Sequence, residues 1–346
     1  MTLSCEFERA EFPLEDDFTI ARGTKSNAEN VLVRIEDEQG RAGVGAAAPA
    51  SRYGETPATV EAVLPDLLSG VESVGDPHAI QRIEAQARSA IGGNGAAHCA
   101  VDVALHDLAA TRLDVPLYRY LGLDPGRTVT TSFTVGLDET DRMREKAAEA
   151  VAAGYPILKV KLGTDRDREI VAAIRDAAPE ATLRVDANEA WTPREAVDNT
   201  AWLAKNGVEF VEQPVPASDP EGMAFVREHG DVPVAADESC RRLTDVPRVA
   251  EIADIATIKL TKAGGIRETV RMIHAARAEG LSVMLGCMLA SDALMAAGAH
   301  LAPLLDYADL DGALLLAEDR YEGVPMPEGQ IDLAAADRPG TGARRV

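Results

Sequence analysis

Lysine is scarce in this sequence. Seven of 346 residues are lysine, the other 28 of the 35 basic residues are arginine, and 57 acids bring the formal net charge to −22. A surface this acidic repels phosphate backbones and anionic lipid, which argues against nucleic acid and membrane as partners. Acid excess with few lysines also leads us to expect a halophilic source, because a carboxylated surface stays solvated in concentrated salt. Cysteine is equally sparse. Cys5, Cys99, Cys240 and Cys287 are scattered with no CxxC spacing, so buried, reduced thiols are expected rather than a disulfide framework. No apolar run is long enough to span a bilayer, and MTLSCEFERAEF lacks the basic-then-apolar layout of a signal peptide. The expected address is the cytoplasm.

Hydrophobic residues make up 46% of the chain, enough for a large α/β domain and a smaller one. From about residue 128, short β-rich runs alternate with amphipathic helical stretches. The runs are TVTTSFTVGL, ILKVKLG, TLRVDANEA, VEFVEQPV, VPVAADES, IATIKLTKAGG, LSVMLGCML and YADLDGALLL. Strand–helix alternation with crossovers of this length means parallel strands. Eight in succession, with no Gly-rich phosphate fingerprint after the first, favour a closed (β/α) barrel over an open doubly wound sheet. Residues 1–127 read as a separate α+β domain. Residues 128–318 carry the barrel, and the Pro/Gly-rich tail, about 319–346, is expected to fold back onto the first domain.

Catalytic groups of a parallel barrel gather at the C-terminal ends of its strands. Lys161, Asp186, Glu212, Asp237 and Lys259 recur at such ends with the period of the βα unit. The three acids come from successive strands and would repel one another without a cation among them. An oxygen-only donor set suits a hard divalent ion such as Mg²⁺. Each acid taken singly also suits a helix cap or an arginine partner, but the set as a whole points to a metal. Lys161 and Lys259, from strands flanking the trio, should face each other across the mouth, one on each side of a carbon acid. In ILKVKLG, strand alternation turns Lys159 and Lys161 the same way, so Lys159 is expected to depress the pKa of its neighbour.

KVK at 159–161, VDAN at 185–188, VEQP at 211–214, ADES at 236–239 and IKLTKAGG at 258–265 resemble the motif series of the enolase superfamily, muconate-lactonizing-enzyme subgroup. VDVALHDLAATRLDVPLYRYLG resembles that family's capping domain, so the likeness covers essentially the whole chain. The resemblance implies a modified TIM barrel, (β/α)7β, under an α+β N-terminal cap. It implies Asp186, Glu212 and Asp237 as Mg²⁺ ligands and Lys161 and Lys259 as the two acid/base residues, with Lys262 secondary.

Within that subgroup the reaction varies among epimerisation, N-acylamino acid racemisation, cycloisomerisation and dehydration to o-succinylbenzoate. Asp309 and Asp311 in YADLDG resemble the DxD by which dipeptide epimerases hold a free α-ammonium; two solvent-facing or arginine-paired acids are the plainer alternative. FTIARGTKSNAEN and ASRYGETPAT resemble the cap loops of L-Ala-D/L-Glu epimerases. Arg22 or Lys25 is expected to meet a distal carboxylate and Tyr53 to close the pocket. Lys159 and Thr134 complete the candidate substrate contacts. After GCML, many members of the resembled family carry Glu-Ser where this chain has Ala290-Ser291, a missing acid expected to bear on dipeptide preference. The expected partner is a small dipeptide substrate, and a homo-oligomer is compatible with the sequence.

Overall fold

The computed structural model describes residues 2–346. The chain opens with an antiparallel sheet of β1 (Leu3–Ile20), β2 (Gly23–Asp37) and β3 (Ala42–Ala47), in that order. β1 is one of the two edge strands. It carries a row of exposed charges and Pro13, which a central strand would not tolerate. The β1–β2 register slips between Pro13 and Phe18. There the edge leaves its partner, and Glu15 N–H donates to Leu315 O of the barrel at 3.1 Å; past the slip, with β1 and β2 paired again, Leu137 N–H donates to Thr19 O at 2.8 Å. The slip carries the hairpin tip over the barrel mouth.

Three helices follow, Pro57–Val74, Ile80–Ala90 and Gly95–Arg112. Residues 96–110 of the last are buried without a break, because it lies between the cap sheet and the barrel. Gly43 and Gly45 of β3 permit this approach: a Cβ at Gly43 would lie 2.1 Å from Ala104 O, and one at Gly45 2.3 Å from Ala100 O. On its other side Asp102 accepts the N–H of Ile266 at 2.6 Å, capping the barrel helix Ile266–Ala278.

The barrel strands are β4 (Phe133–Val135), β5 (Ile157–Lys161), β6 (Thr182–Asp186), β7 (Val208–Glu212), β8 (Val234–Ala236), β9 (Ile255–Lys259), β10 (Ser282–Gly286) and β11 (Tyr307–Asp309). They lie in chain order, each parallel to the next. The ring closes through a parallel bridge from Thr131 to Ala308. Outward residues such as Leu158, Val160, Leu183 and Val185 join the main core under the helices. The lower interior is plugged by Phe210, Ala235, Ile255 and Met284, with the Arg184 guanidinium over the Phe210 and Tyr307 rings. The tail returns to the cap, where Asp107 accepts the Thr341 N–H at 2.6 Å and Leu117 N–H donates to Gly340 O at 2.6 Å.

Candidate active site

Strand alternation and register assemble the site. Lys161 of β5 pairs in register with Asp186 of β6, and Asp186 with Glu212 of β7. Their side chains therefore stand at one level inside the ring. Asp237 follows one residue past β8. On the far side Lys259 of β9, Gly286 of β10 and Asp309 of β11 share a level. β5 and β9 are four strands apart in a ring of eight, so Lys161 and Lys259 stand on opposite sides of the mouth. Gly286, between Lys259 and Asp309, keeps that wall open.

The acids and lysines are tightly paired. Lys161 Nζ donates to Asp186 Oδ2 at 2.6 Å, and Lys259 Nζ to Asp237 Oδ2 at 2.9 Å. Burial opposes the charge on Lys259, but Asp237, Tyr53 and Glu212 together outweigh it and raise its pKa. Lys159 is not a bare ammonium set against Lys161. It lies 2.7 Å from Glu212, 2.7 Å from Asp309 and 3.3 Å from Asp186, with its side chain 2% exposed. Burial opposes its charge, yet these carboxylates raise its pKa well above the usual lysine value. These contacts give it the role of countercharge to the acid cluster.

Glu212 is fully buried. Lys159 approaches its Oε2 off the hydrogen-bonding direction, and neither Oε atom has a hydrogen-bond partner among the described residues. Burial, together with Asp186 and Asp237 close by, pushes its pKa up to about 8 despite Lys159. Among the described residues no carboxylate trio closes on a common point, each acid being turned onto a lysine instead. The donor set still fits a hard divalent cation: three acids on adjacent strands, one with two orphaned buried oxygens.

A cavity of about 510 Å³ lies above, lined from the barrel by Lys159, Lys161, Asp237, Lys259, Asp309 and Asp311. Asp186 and Glu212 lie beneath its floor. Asp309 accepts from Ser132 Oγ at 2.7 Å and from Lys159 Nζ at 2.7 Å. Asp311 accepts the Thr134 N–H at 2.6 Å. Thr134 thus sits at the cavity, holding Asp311 through its backbone.

The cap closes the top with residues 18–25 and 48–53. Arg22 is already engaged. It donates to Glu238 Oε1 at 2.7 Å, Asn188 O at 2.8 Å and Glu189 Oε2 at 3.3 Å. Arg52 reaches Glu189 with two bonds, of 2.7 and 2.8 Å. Lys25 lines the cavity with no carboxylate partner among the described residues. Tyr53 lines it too, with the Arg241 guanidinium 4.5 Å from its ring centroid. Ala290 is fully buried and does not line the cavity; Cys287, Met288 and Leu289 of that loop do. The latch acids Glu189 and Glu238 were not singled out from the sequence. Their only signal there was position, Glu189 directly after VDAN and Glu238 within ADES.

Two family models match the chain. Residues 7–122 match the mandelate racemase / muconate lactonizing enzyme N-terminal domain, and residues 142–344 match the enolase C-terminal domain-like family. The L-Ala-D/L-Glu epimerase of Bacteroides thetaiotaomicron is 38% identical over 338 residues, covering 97% of this chain and 86% of that protein. The hydrophobic dipeptide epimerase of Roseobacter litoralis is 37% identical over 341 residues, covering 96% and 94%. A crystal structure of the dipeptide epimerase from Enterococcus faecalis, complexed with Mg and the dipeptide L-Leu-L-Tyr, superposes with a TM-score of 0.91 at 33% identity, covering all of both chains.

Proposed function

This chain belongs to the mandelate racemase / muconate lactonizing enzyme family of the enolase superfamily, and from that premise we propose that it is a Mg²⁺-dependent dipeptide epimerase. It inverts the α-carbon of the C-terminal residue by a two-base 1,1-proton transfer. The observation that carries this reading is the pair of opposed lysines, Lys161 and Lys259, in one cavity with Asp309 and Asp311. Opposed bases suit inversion, and the aspartates suit a free α-ammonium. N-acylated amino acids and muconate have no ammonium to offer, which sets racemase, lyase and cycloisomerase readings behind.

The substrate lies with its carboxylate toward Asp186, Glu212 and Asp237. Asp186, Glu212 and Asp237 would hold Mg²⁺, which when bound would supply positive charge against that carboxylate. One lysine takes the proton from its side, leaving a planar enolate. The lysine opposite returns a proton to the other face, and exchange with solvent resets both. Ser132 and the Thr134 backbone fix the two aspartates that anchor the N-terminal end.

For the side chain of the epimerised residue we favour an acid, as in L-Ala-D/L-Glu-like dipeptides. Lys25 supports this, being the cavity-lining cation without an acid partner among the described residues. Arg22, held by Glu238, serves instead to latch the cap. A net charge of −22 supports a halophilic enzyme without nucleic-acid partners. A dipeptide library incubated with the protein and Mg²⁺ in D₂O, read by mass spectrometry, tests the function. α-Deuterium uptake is expected in dipeptides with a free amino terminus, most in those ending in Glu. Uptake confined to N-acyl amino acids would overturn the reading.

A further inference from the structure

Asp186 and Asp237 are held in parallel ways that differ in the group that grips Oδ1. Each offers Oδ2 to a base, Lys161 on one side and Lys259 on the other. Each is gripped from behind at Oδ1. For Asp186 the grip is the neutral N–H of Asn188, at 2.8 Å. For Asp237 it is the ammonium of Lys262, at 2.5 Å. Lys262 also donates to the main-chain O of Asp237 at 2.6 Å and to Thr257 O at 3.0 Å, so all three of its donors are used. Its side chain is 1% exposed and does not line the cavity. Gln213 Oε1 accepts the Asp237 N–H at 3.0 Å, completing the clamp.

Lys259 needs this clamp more than Lys161 does. Its neighbour in register is Gly286, which offers no side chain to pack against; a Cβ there would lie 3.0 Å from Lys259 Cε. The flexible stem of Lys259 is therefore aimed by the hydrogen bond to Asp237. Lys161 has Asp186, and Lys159 beyond it, both independent of Lys262.

We propose that Lys262 is a positioning residue for one face of the reaction: by pinning Asp237 at Oδ1 and at its main-chain carbonyl, it presents Oδ2 to Lys259 and sets the reach of that base alone. This rests on the two-base reading above. A residue that merely balanced the charge of the acid cluster, or supported the barrel, would act on both faces together.

The test follows α-proton exchange in D₂O separately for L-Ala-L-Glu and L-Ala-D-Glu. Lys161→Ala and Lys259→Ala first assign each isomer to its lysine. Lys262→Met is then compared with the wild type at saturating Mg²⁺, saturation being checked by calorimetric titration of the substrate-free protein. The expected result is at least a tenfold slowing for the isomer assigned to Lys259, less than threefold for the other, and nearly unchanged KM for both. Lys262→Gln keeps a donor for Asp237 without the charge and gives the same readout should the methionine variant not fold; partial recovery of the slowed isomer is expected. Equal slowing of both isomers, in a variant with wild-type near-UV circular dichroism, overturns the positioning role. If the single-lysine variants do not separate the isomers at all, the two-base reading itself falls, and the positioning role with it.

Discussion

The ammonium of Lys159 sits 2.7 Å from the carboxylate of Asp309, so the first acid of DxD meets the cavity already paired. Asp311, two residues on, has no such partner among the described residues, and the two aspartates are not equivalent. Burial works against ionisation of Asp309, but Lys159, Lys161 and Ser132 together outweigh it and hold the pKa down to about 2. Burial and the charge of Asp309 push Asp311 up to about 6.

That asymmetry sets a pH dependence. Asp311 must be ionised to hold an α-ammonium, and its folded pKa is raised, so the carboxylate is lost as pH falls through about 6. We expect kcat/KM for dipeptides to fall about tenfold per pH unit below that point, the aspartates titrating as a pair. Asp311→Asn should raise KM at pH 8 and flatten the acid limb. A limb unchanged in this variant would remove Asp311 from substrate binding.

Asp309→Asn should behave differently. Lys159 keeps Glu212 and Asp186 beside it, but the substitution removes a buried charge-assisted hydrogen bond, so it should cost stability on the order of 2 kcal/mol as well as activity. Thermal or urea unfolding of both variants in chelator measures this. Equal destabilisation by Asp309→Asn and Asp311→Asn would contradict the pairing of Asp309 with Lys159.

Removal of the metal should abolish turnover, and Mg²⁺ should restore it. Glu212→Gln should lose on the order of 10³-fold in kcat while keeping the wild-type far-UV circular dichroism, because Glu212 serves charge at the site rather than packing. Full turnover in protein shown to be metal-free by elemental analysis would sink the ligand assignment.

The cap residues should separate specificity from closure. Lys25→Ala is expected to lower kcat/KM about tenfold for L-Ala-L-Glu, the size of one charge-assisted contact, and hardly at all for a dipeptide ending in a neutral residue. Arg22→Met breaks contacts to Asn188, Glu189 and Glu238, so it should slow all dipeptides alike. A loss confined to acidic dipeptides in Arg22→Met would exchange the two roles.

Much of the site was legible because its rules are local. Two-residue alternation puts Lys159 and Lys161 on one face of a strand whatever the rest of the chain does. The βα period places Asp186, Glu212 and Asp237 at successive strand ends, and parallel strands bring such ends together. The opposition of Lys161 and Lys259 follows from counting strands in a closed ring. Which group pairs with which was decided only by the tertiary structure. Lys159 meets Asp309 because the last strand closes against the first, 150 residues away in sequence. Arg22 meets Glu238 across 216 residues because the edge-strand slip carries the hairpin over the mouth. Ala290 turns into the core rather than the cavity, and Lys262 turns under Asp237. Composition and spacing carry no information about which of several equivalent oxygens a buried ammonium will reach. That choice depends on register, closure and tenths of an ångström, all set by packing of the whole chain.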